Sequence, residues 1–161
     1  MDLVDEELLF IDDPACAEEL LETPWVVMVV DDDPDVHEAT DLALDGYRFE
    51  GRPVAVLHAF SGTEAEALLT QRTDVAAIFL DVVMESQTAG LDLVDRIRLK
   101  LNNHWTRIIL RTGQPSSLSE LEVLDNYDIN DYRLKSDLTR QKLVSALVMA
   151  LRGYRDIMHA V

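Results

Sequence analysis

The chain has 161 residues, a length typical of one domain with a sizeable hydrophobic core. It carries 31 Asp and Glu against 14 Lys and Arg, and the formal net charge of −17 disfavours nucleic acid as a partner for most of the surface. No apolar stretch approaches the length of a membrane span and the N-terminus is acidic, so we expect a cytoplasmic protein without a membrane anchor. The single cysteine, Cys16, excludes an intrachain disulfide and suits a reducing compartment.

Apolar runs and amphipathic stretches alternate along most of the chain. Residues 1–24 are rich in Asp and Glu and are expected to form an acidic arm, with Pro24 at the boundary of the folded domain. The pattern predicts strands at residues 25–30, 53–58, 75–80, 107–111 and 129–134. Helices are predicted to begin near residues 34, 61, 90, 118 and 138. Asp33 and Ser61 are expected to cap the first two of them.

Five strands that alternate with five helices predict an α/β domain with a doubly wound parallel sheet. We assign this domain to residues 25–151 and the remaining residues 152–161 to a helical extension or linker. The last helix is longer than a helix that closes such a sheet needs to be. Its end is expected either to continue as a linker or to pair with a second copy of the chain, the alternative being a frayed end.

Charged side chains follow three of the predicted strands. Asp31 and Asp32 come directly after the first strand, Asp81 ends the apolar third strand, and Lys135 follows the fifth. Open α/β sheets keep their ligands at the carboxyl ends of parallel strands. The sequence therefore predicts that these acids and the lysine lie together at one edge of the sheet.

Such a cluster suggests phosphoryl chemistry. Clustered carboxylates repel one another unless a cation neutralises them, and ligation by oxygen alone favours Mg²⁺ over zinc. A carboxylate can also act as a nucleophile and form an acyl phosphate. Asp81 is therefore a candidate phospho-acceptor, Asp31 and Asp32 are candidate metal ligands, Lys135 is the counter-charge, and Thr112 adds a hydroxyl donor.

Six segments, in this order along the chain, are similar to the motifs of the receiver domain of bacterial two-component response regulators. They are residues 29–34, 58–65, 80–84, 90–93, 110–113 and 131–135. The resemblance implies a flavodoxin-like (βα)5 fold with a five-stranded parallel sheet in the order 2-1-3-4-5.

The resemblance also implies a role for each of the acids. Asp81 would accept a phosphoryl group from a histidine kinase or phosphotransfer protein. Asp32, Asp81 and the backbone carbonyl of Val83 would bind Mg²⁺ (or Mn²⁺) directly, and Asp31 would act through water.

Other positions would couple the phosphoryl group to the rest of the domain. Thr112 and Lys135 would contact its oxygens, and Tyr132 would be the aromatic switch that turns inward on activation. The face made by the fourth helix, the fifth strand and the fifth helix would report the change to an output domain or partner. In receivers, the side chains at the positions of Val83 and Gln114 flank the path of attacking water, and the apolar Val83 predicts a long-lived aspartyl phosphate.

Three positions depart from the pattern of the family. Glu85 and Ser136 each stand where a proline is usual, so the cis peptide expected before the second of these prolines is in doubt. Arg111 stands where an apolar residue is usual, and the sequence offers no account of it. Elsewhere, His37 and His104 are expected to be solvated.

A narrower resemblance comes from residues 49–53, 112–115 and 127–132. They are similar to receivers that precede HD-GYP-type cyclic-dinucleotide phosphodiesterases. The resemblance implies that the chain is the N-terminal part of a larger regulator whose output domain is C-terminal.

Two other functions are left open. The chain could be a receiver-fold interaction module that is never phosphorylated, or an Mg²⁺-dependent phosphohydrolase with an aspartyl-phosphate intermediate. The second is disfavoured because Val83 stands where such an enzyme needs a second acid for proton transfer. The chain itself is accordingly expected to be a switch rather than an enzyme that turns over a metabolite.

Overall fold

The computed structural model describes residues 23–113 and 118–160. The strands are β1 (Trp25–Val30), β2 (Arg48–Phe49), β3 (Arg52–Ala59), β4 (Val75–Leu80), β5 (Arg107–Thr112) and β6 (Asp131–Leu134). The α-helices are α1 (Pro34–Leu44), α2 (Gly62–Gln71), α3 (Ala89–Asp95), α4 (Glu120–Asn126) and α5 (Arg140–Ala160). A π-helical turn, Arg96–Lys100, continues α3, and a 3₁₀ turn, Lys135–Asp137, follows β6. The acidic arm predicted for residues 1–24 lies almost entirely outside the described residues, as does Cys16.

These strands form one sheet in the order β2-β3-β1-β4-β5-β6. The pairs β3-β1, β1-β4, β4-β5 and β5-β6 are parallel, so the predicted order of the five parallel strands is confirmed. The prediction of a purely parallel sheet missed β2, which pairs antiparallel with β3 at one edge. The connection is a two-residue turn at Glu50 and Gly51, both with positive φ, as tight hairpins require. A two-residue strand is too short to leave a periodic pattern in the sequence.

Helices cover both faces of the sheet, as a doubly wound fold requires. On one face, α2, α3 and α4 pack against alternate residues of the central strands, among them Met28, Val30, Ile78, Leu80, Ile108 and Leu110. On the other face, α1 and α5 pack against Val27, Ala77, Phe79 and Ile109. The residues of β1 and β4 are buried throughout, which explains why their sequences are continuously apolar.

The first two helices, α1 and α2, are capped by the residues that the sequence predicts. The side chain of Asp33 accepts a hydrogen bond from the Asp35 amide at 2.9 Å, with Pro34 at the first helical position. The side chain of Ser61 accepts one from the Glu64 amide at 3.1 Å. Both predicted N-caps are confirmed.

Two boundaries differ from the prediction. Ser119 caps α4 and forms a capping box with Glu122, so the helix starts at Glu120, two residues later than predicted. The last strand starts at Asp131 because the side chain of Asn130, at 2.8 Å, accepts the Ile108 amide hydrogen bond that a longer strand would take. In both places a side chain accepts a hydrogen bond from a backbone amide and thereby sets where the element begins.

The last helix spans 21 residues, Arg140–Ala160, and its apolar stripe packs on the sheet as predicted. Leu143, Leu147 and Leu151 are buried, whereas Met149 on another side of the helix is exposed. In the part of the chain that the structure describes, no helix is both long and apolar enough to span a membrane.

Candidate functional site

The predicted residues lie at the carboxyl ends of β1, β4, β5 and β6. Asp31 follows β1 and Asp81 follows β4, and both are held by hydrogen bonds that extend the sheet by one residue. The Asp31 amide donates to the Ala59 carbonyl at 3.2 Å, and the Asp81 amide donates to the Val30 carbonyl at 2.9 Å. Since these positions are built on the sheet rather than on long loops, their carboxyl groups start from fixed points.

Three carboxylates form the acidic part of the site. One oxygen from each of Asp31, Asp32 and Asp81 lies within 4.8 Å of the others. Asp31 and Asp81 are buried, and Asp32 is exposed to solvent. Oxygen-only ligands with one open side match the preference of Mg²⁺ or Mn²⁺, which retain water or phosphate oxygens in such sites. The donor set fits the predicted cation.

Lys135 provides the opposing charge. Its Nζ lies 2.8 Å from Asp31 Oδ2 and 3.4 Å from Asp81 Oδ2. Burial lowers the pKa of Lys135, but the hydrogen bonds and charges of the two carboxylates outweigh it, so the pKa stays raised. The ammonium therefore remains protonated beside the acids.

The acceptor candidate has a raised pKa. Burial is the main cause and the charge of Asp31 adds to it, while Lys135 acts in the opposite direction, and the result is a pKa of about 6 for Asp81. At neutral pH the carboxyl group is thus ionised and more basic than an ordinary aspartate, as a nucleophile toward phosphorus should be.

A cavity of about 220 Å³ lies against this carboxyl group. It is lined by Asp81, Val83, Thr112, Gly113 and Lys135. The hydroxyl group of Thr112, on a residue that is 1% exposed, and the ammonium of Lys135 therefore border the same space as the Asp81 carboxylate. Such a space can take a phosphoryl group in contact with a nucleophile, a hydroxyl donor and a cation.

The segment that follows Asp81 is held from two sides. The Gly90 amide donates to the Val82 carbonyl at 2.9 Å, which brings the start of α3 against the loop. Glu85, which stands where a proline is usual in the family, accepts hydrogen bonds from the Gly62 amide at 3.1 Å and 3.3 Å. A carboxylate at the N-terminus of α2 is stabilised by the helix dipole, so this departure from the pattern ties the loop to α2.

The two remaining predicted features lie on and after β6. Tyr132 is half-buried and packs against the core face that α2, α3 and α4 cover. At Ser136 the sequence left a cis peptide in doubt, and the described residues contain no cis peptide bond.

The prediction that His37 is solvated was wrong. His37 is 4% exposed, and its Nε2 donates to the Asp31 carbonyl at 2.7 Å. Its Nδ1 lies 2.6 Å from Nδ1 of His58, whose Nε2 lies 3.1 Å from a carboxylate oxygen of Asp41. The signal was present, because His37 and the buried Thr40 lie three residues apart on the inner face of α1.

Arg111, for which the sequence offered no account, is also buried. It points to the face of the sheet that α1 covers, where its Nη1 donates to Thr40 Oγ1 at 2.9 Å. Its guanidinium carbon lies 5.0 Å from the centre of the Phe79 ring.

Comparison with known proteins agrees with this geometry. A family model described as the response regulator receiver domain matches residues 27–148. The 3'3'-cGAMP-specific phosphodiesterase 2 of Vibrio cholerae is 46% identical over 134 residues, which are 83% of this chain and 26% of that protein. The chain thus spans about a quarter of the length of that relative.

Solved structures show the same fold. The signal receiver domain of an HD domain-containing protein from Pseudomonas fluorescens has a TM-score of 0.69 at 24% identity, over 86% of this chain and 93% of that one. A CheY-like response regulator receiver domain protein from Methanospirillum hungatei has a TM-score of 0.66 at 21% identity, over 83% of this chain and 98% of that one. The name of the Vibrio relative, a 3'3'-cGAMP-specific phosphodiesterase, agrees with the narrower resemblance to receivers that precede cyclic-dinucleotide phosphodiesterases. The family model matches most of the chain, and the strand ends gather three carboxylates and a lysine. The chain therefore belongs to the response regulator receiver domain family.

Proposed function

We propose that the chain is a switch that is turned on by phosphorylation of Asp81, with a histidine kinase or a phosphotransfer protein as the donor. The observation that carries this proposal is the position of the Asp81 carboxylate. It borders a cavity together with Thr112 and lies 3.4 Å from the Lys135 ammonium. This cavity can hold one phosphoryl group between a nucleophile and two donors.

In the proposed reaction, a carboxylate oxygen of Asp81 attacks phosphorus and forms the acyl phosphate bond. The bond between phosphorus and the imidazole nitrogen of the donor breaks, and the imidazole leaves with that electron pair. Lys135 balances the negative charge on the phosphoryl oxygens, and the Thr112 hydroxyl donates a hydrogen bond to one of them. Hydrolysis of the acyl phosphate returns the carboxylate and inorganic phosphate.

Asp31, Asp32, Asp81 and the backbone carbonyl of Val83 are the groups proposed to hold Mg²⁺. When bound, the ion supplies positive charge that offsets the repulsion between the carboxylates and the phosphoryl oxygens. The support is the distance of at most 4.8 Å between ligand oxygens of the three acids. The three carboxylates carry more negative charge than the positive charge of Lys135 can balance, so a further cation would be needed for neutrality.

The output is proposed to act through the face of α4, β6 and α5. Phosphorylation adds about −1.5 to −2 charges next to Thr112 and Lys135 and would reorder the segments after β4 and β5, with Tyr132 turning inward. Leu121 and Leu124 are exposed on α4, so this face presents apolar surface to a partner.

We further propose that this output is a cyclic-dinucleotide phosphodiesterase, C-terminal on the same polypeptide and in the cytoplasm. The support is the Vibrio relative, of which this chain matches 26%. In this arrangement the end of α5 begins the connector to the output domain, or pairs two copies of the chain.

The test is intact mass after incubation with acetyl phosphate and Mg²⁺. Wild-type chain should gain one phosphoryl group and Asp81→Asn none, because the amide cannot attack phosphorus. Asp125→Asn, an exposed position at the end of α4, is the matched control and should be phosphorylated like wild type.

Two results would contradict the proposal. One is a gain of mass in Asp81→Asn that equals that of wild type. The other is an unchanged mass of wild-type chain both with acetyl phosphate and with a panel of phosphorylated histidine phosphotransfer proteins, which would favour the unphosphorylated interaction module.

A further inference from the structure

A second cavity lies between α1 and the first turn of α5. Its volume is about 260 Å³, slightly more than that of the cavity beside Asp81. Its apolar walls come from α1, through Val36 and Ala43, and from α5, through Leu143. The cavity thus has the form of a small-ligand site, with apolar walls and a few polar groups.

The polar groups of this cavity are mainly cations. Arg111, Lys135 and Arg140 line it, and no described residue that lines it is acidic. These are three of only 14 Lys and Arg in a chain with 31 acidic residues. Arg111 is buried, Lys135 is half-buried and Arg140 is exposed, so the positive charge extends from the mouth of the cavity inward.

Arg111 is incompletely paired. It is 5% exposed, and its Nη1 donates to Thr40 Oγ1, a hydroxyl that in turn donates to the Val36 carbonyl at 2.7 Å. Its Nη2 is buried and has no hydrogen-bond partner among the residues that the structure describes. A buried guanidinium that leaves one nitrogen unpaired costs free energy, so an anion that reached it would be bound favourably.

The Arg111 guanidinium also has no carboxylate in direct contact with it among the described residues. Burial lowers the pKa of Arg111, and the charges of Asp31 and Asp81 act against this effect from a distance. Within residues 23–113 and 118–160 no carboxylate forms an ion pair with it, and Asp31 and Asp81 contact Lys135 instead. The guanidinium therefore stays charged without a direct counter-ion.

We propose that this cavity binds a small organic carboxylate, with the carboxylate group on Arg111 and a short apolar body against α1 and α5. A planar guanidinium fork matches a carboxylate in shape and in donor spacing. The apolar walls contributed by Val36, Ala43 and Leu143 favour a ligand with a hydrocarbon part over an inorganic anion.

The ligand would also influence the phosphorylation site. Lys135 lines both cavities, so a carboxylate near it competes with Asp31 and Asp81 for the same ammonium. Any such coupling is reciprocal, and phosphorylation would change the affinity for the ligand by the factor with which the ligand changes phosphorylation. This coupling rests on the proposed function, whereas binding of the carboxylate does not.

Binding is tested by titrating the full chain with benzoate and recording amide NMR shifts. Benzoate should give saturable shifts at Val36, Ala43 and Leu143, and benzamide, its neutral counterpart, should give none. Arg111→Met should weaken benzoate binding about tenfold or more, because it removes a charged hydrogen-bond donor. Arg72→Met, which removes a half-exposed arginine at the end of α2, is the matched control and should bind like wild type.

A second variant keeps the guanidinium and removes the space. Ala43→Leu should fill the cavity and abolish the benzoate shifts, and it provides the test even where Arg111→Met does not fold. The inference is overturned by the absence of saturable shifts in wild-type chain, by equal binding of benzamide, or by benzoate binding that is unchanged in Arg111→Met or in Ala43→Leu.

Discussion

A single carboxyl group, that of Asp81, illustrates how the site stores electrostatic strain. Burial and the charge of Asp31 raise its pKa to about 6, even though Lys135 is close by. At pH values between the ordinary pKa of an aspartate and about 6, the folded chain binds more protons than the unfolded chain. Stability therefore falls as the pH rises through this window, because the ionised form is the one that the fold disfavours.

We expect this effect to appear in a comparison of wild type with Asp81→Asn in the presence of EDTA. The wild-type free energy of unfolding should fall by about 2 kcal/mol relative to that of the variant between about pH 4 and pH 6, since one pKa unit is worth about 1.4 kcal/mol and the titration is incomplete at both ends of this range. Urea denaturation at several pH values measures it. A difference between the two proteins that stays constant with pH would show that the Asp81 carboxyl group is not perturbed.

Val83 bears on the lifetime of the proposed acyl phosphate. It lines the cavity beside Asp81 with an apolar side chain that cannot orient water, and Gln114, the other position named from the resemblance, lies outside the described residues. Val83→Asn should shorten the lifetime about threefold to tenfold, which is less than a general base contributes. Loss of phosphate, followed by intact mass after removal of the donor, measures it.

Val83→Ile is the matched variant for this experiment, since it stays apolar. It should keep the wild-type lifetime. Equal lifetimes in Val83→Asn and wild type would rule out control by this position.

At the scale of elements, the contact between the start of α3 and the end of β4 shapes the site. A Cβ atom at position 90 would lie 2.1 Å from the Asp81 carbonyl oxygen and 2.8 Å from Val82 Cα. Both are backbone atoms, which cannot yield without moving Asp81 and Val82. Gly90 is therefore required by space rather than by its backbone conformation.

Gly90→Ala should destabilise the fold by about 1–3 kcal/mol through overpacking and should slow phosphorylation of Asp81. Gly153→Ala in α5 is the control, because its added Cβ would meet only the flexible Arg107 side chain, at 3.2 Å. That change should stay within about 1 kcal/mol, because the helix propensity of alanine offsets the contact. Urea denaturation and the acetyl phosphate assay give the two readouts, and wild-type behaviour of Gly90→Ala in both would contradict the steric argument.

For the whole molecule, the excess of negative charge is the dominant property. A formal net charge of −17 makes the folded chain repel itself, and this repulsion is screened by salt. On a chain with this excess of acids, the cavity lined by Arg111, Lys135 and Arg140 is a local concentration of positive charge.

Raising KCl from about 0.01 M to 0.1 M, which shortens the Debye length from about 30 Å to 10 Å, should stabilise the chain. We expect a gain of about 1 kcal/mol in the free energy of unfolding, the scale of one close charge pair in water. Urea denaturation in EDTA measures it, and choline chloride should act like KCl if screening is the cause. A loss of stability with salt would mean that ion pairs, such as those of Lys135, outweigh the net repulsion.

Much of this architecture could be predicted from the sequence because it depends on local patterns. The continuous apolar runs of β1 and β4 reflect burial on both faces, and the N-caps at Asp33 and Ser61 depend on hydrogen bonds within one turn. The meeting of Asp31, Asp81 and Lys135 followed from the rule that parallel strands end at one edge of the sheet.

Tertiary structure alone decided the features that depend on contacts between distant segments. The contact of His37 with His58 and the attachment of Glu85 to α2 each join residues whose proximity no periodic pattern encodes. Arg111 is the clearest case. Its sequence position marks it only as an exception in an apolar strand, and its unpaired nitrogen and its cavity exist because α1 and α5 close over the end of β5.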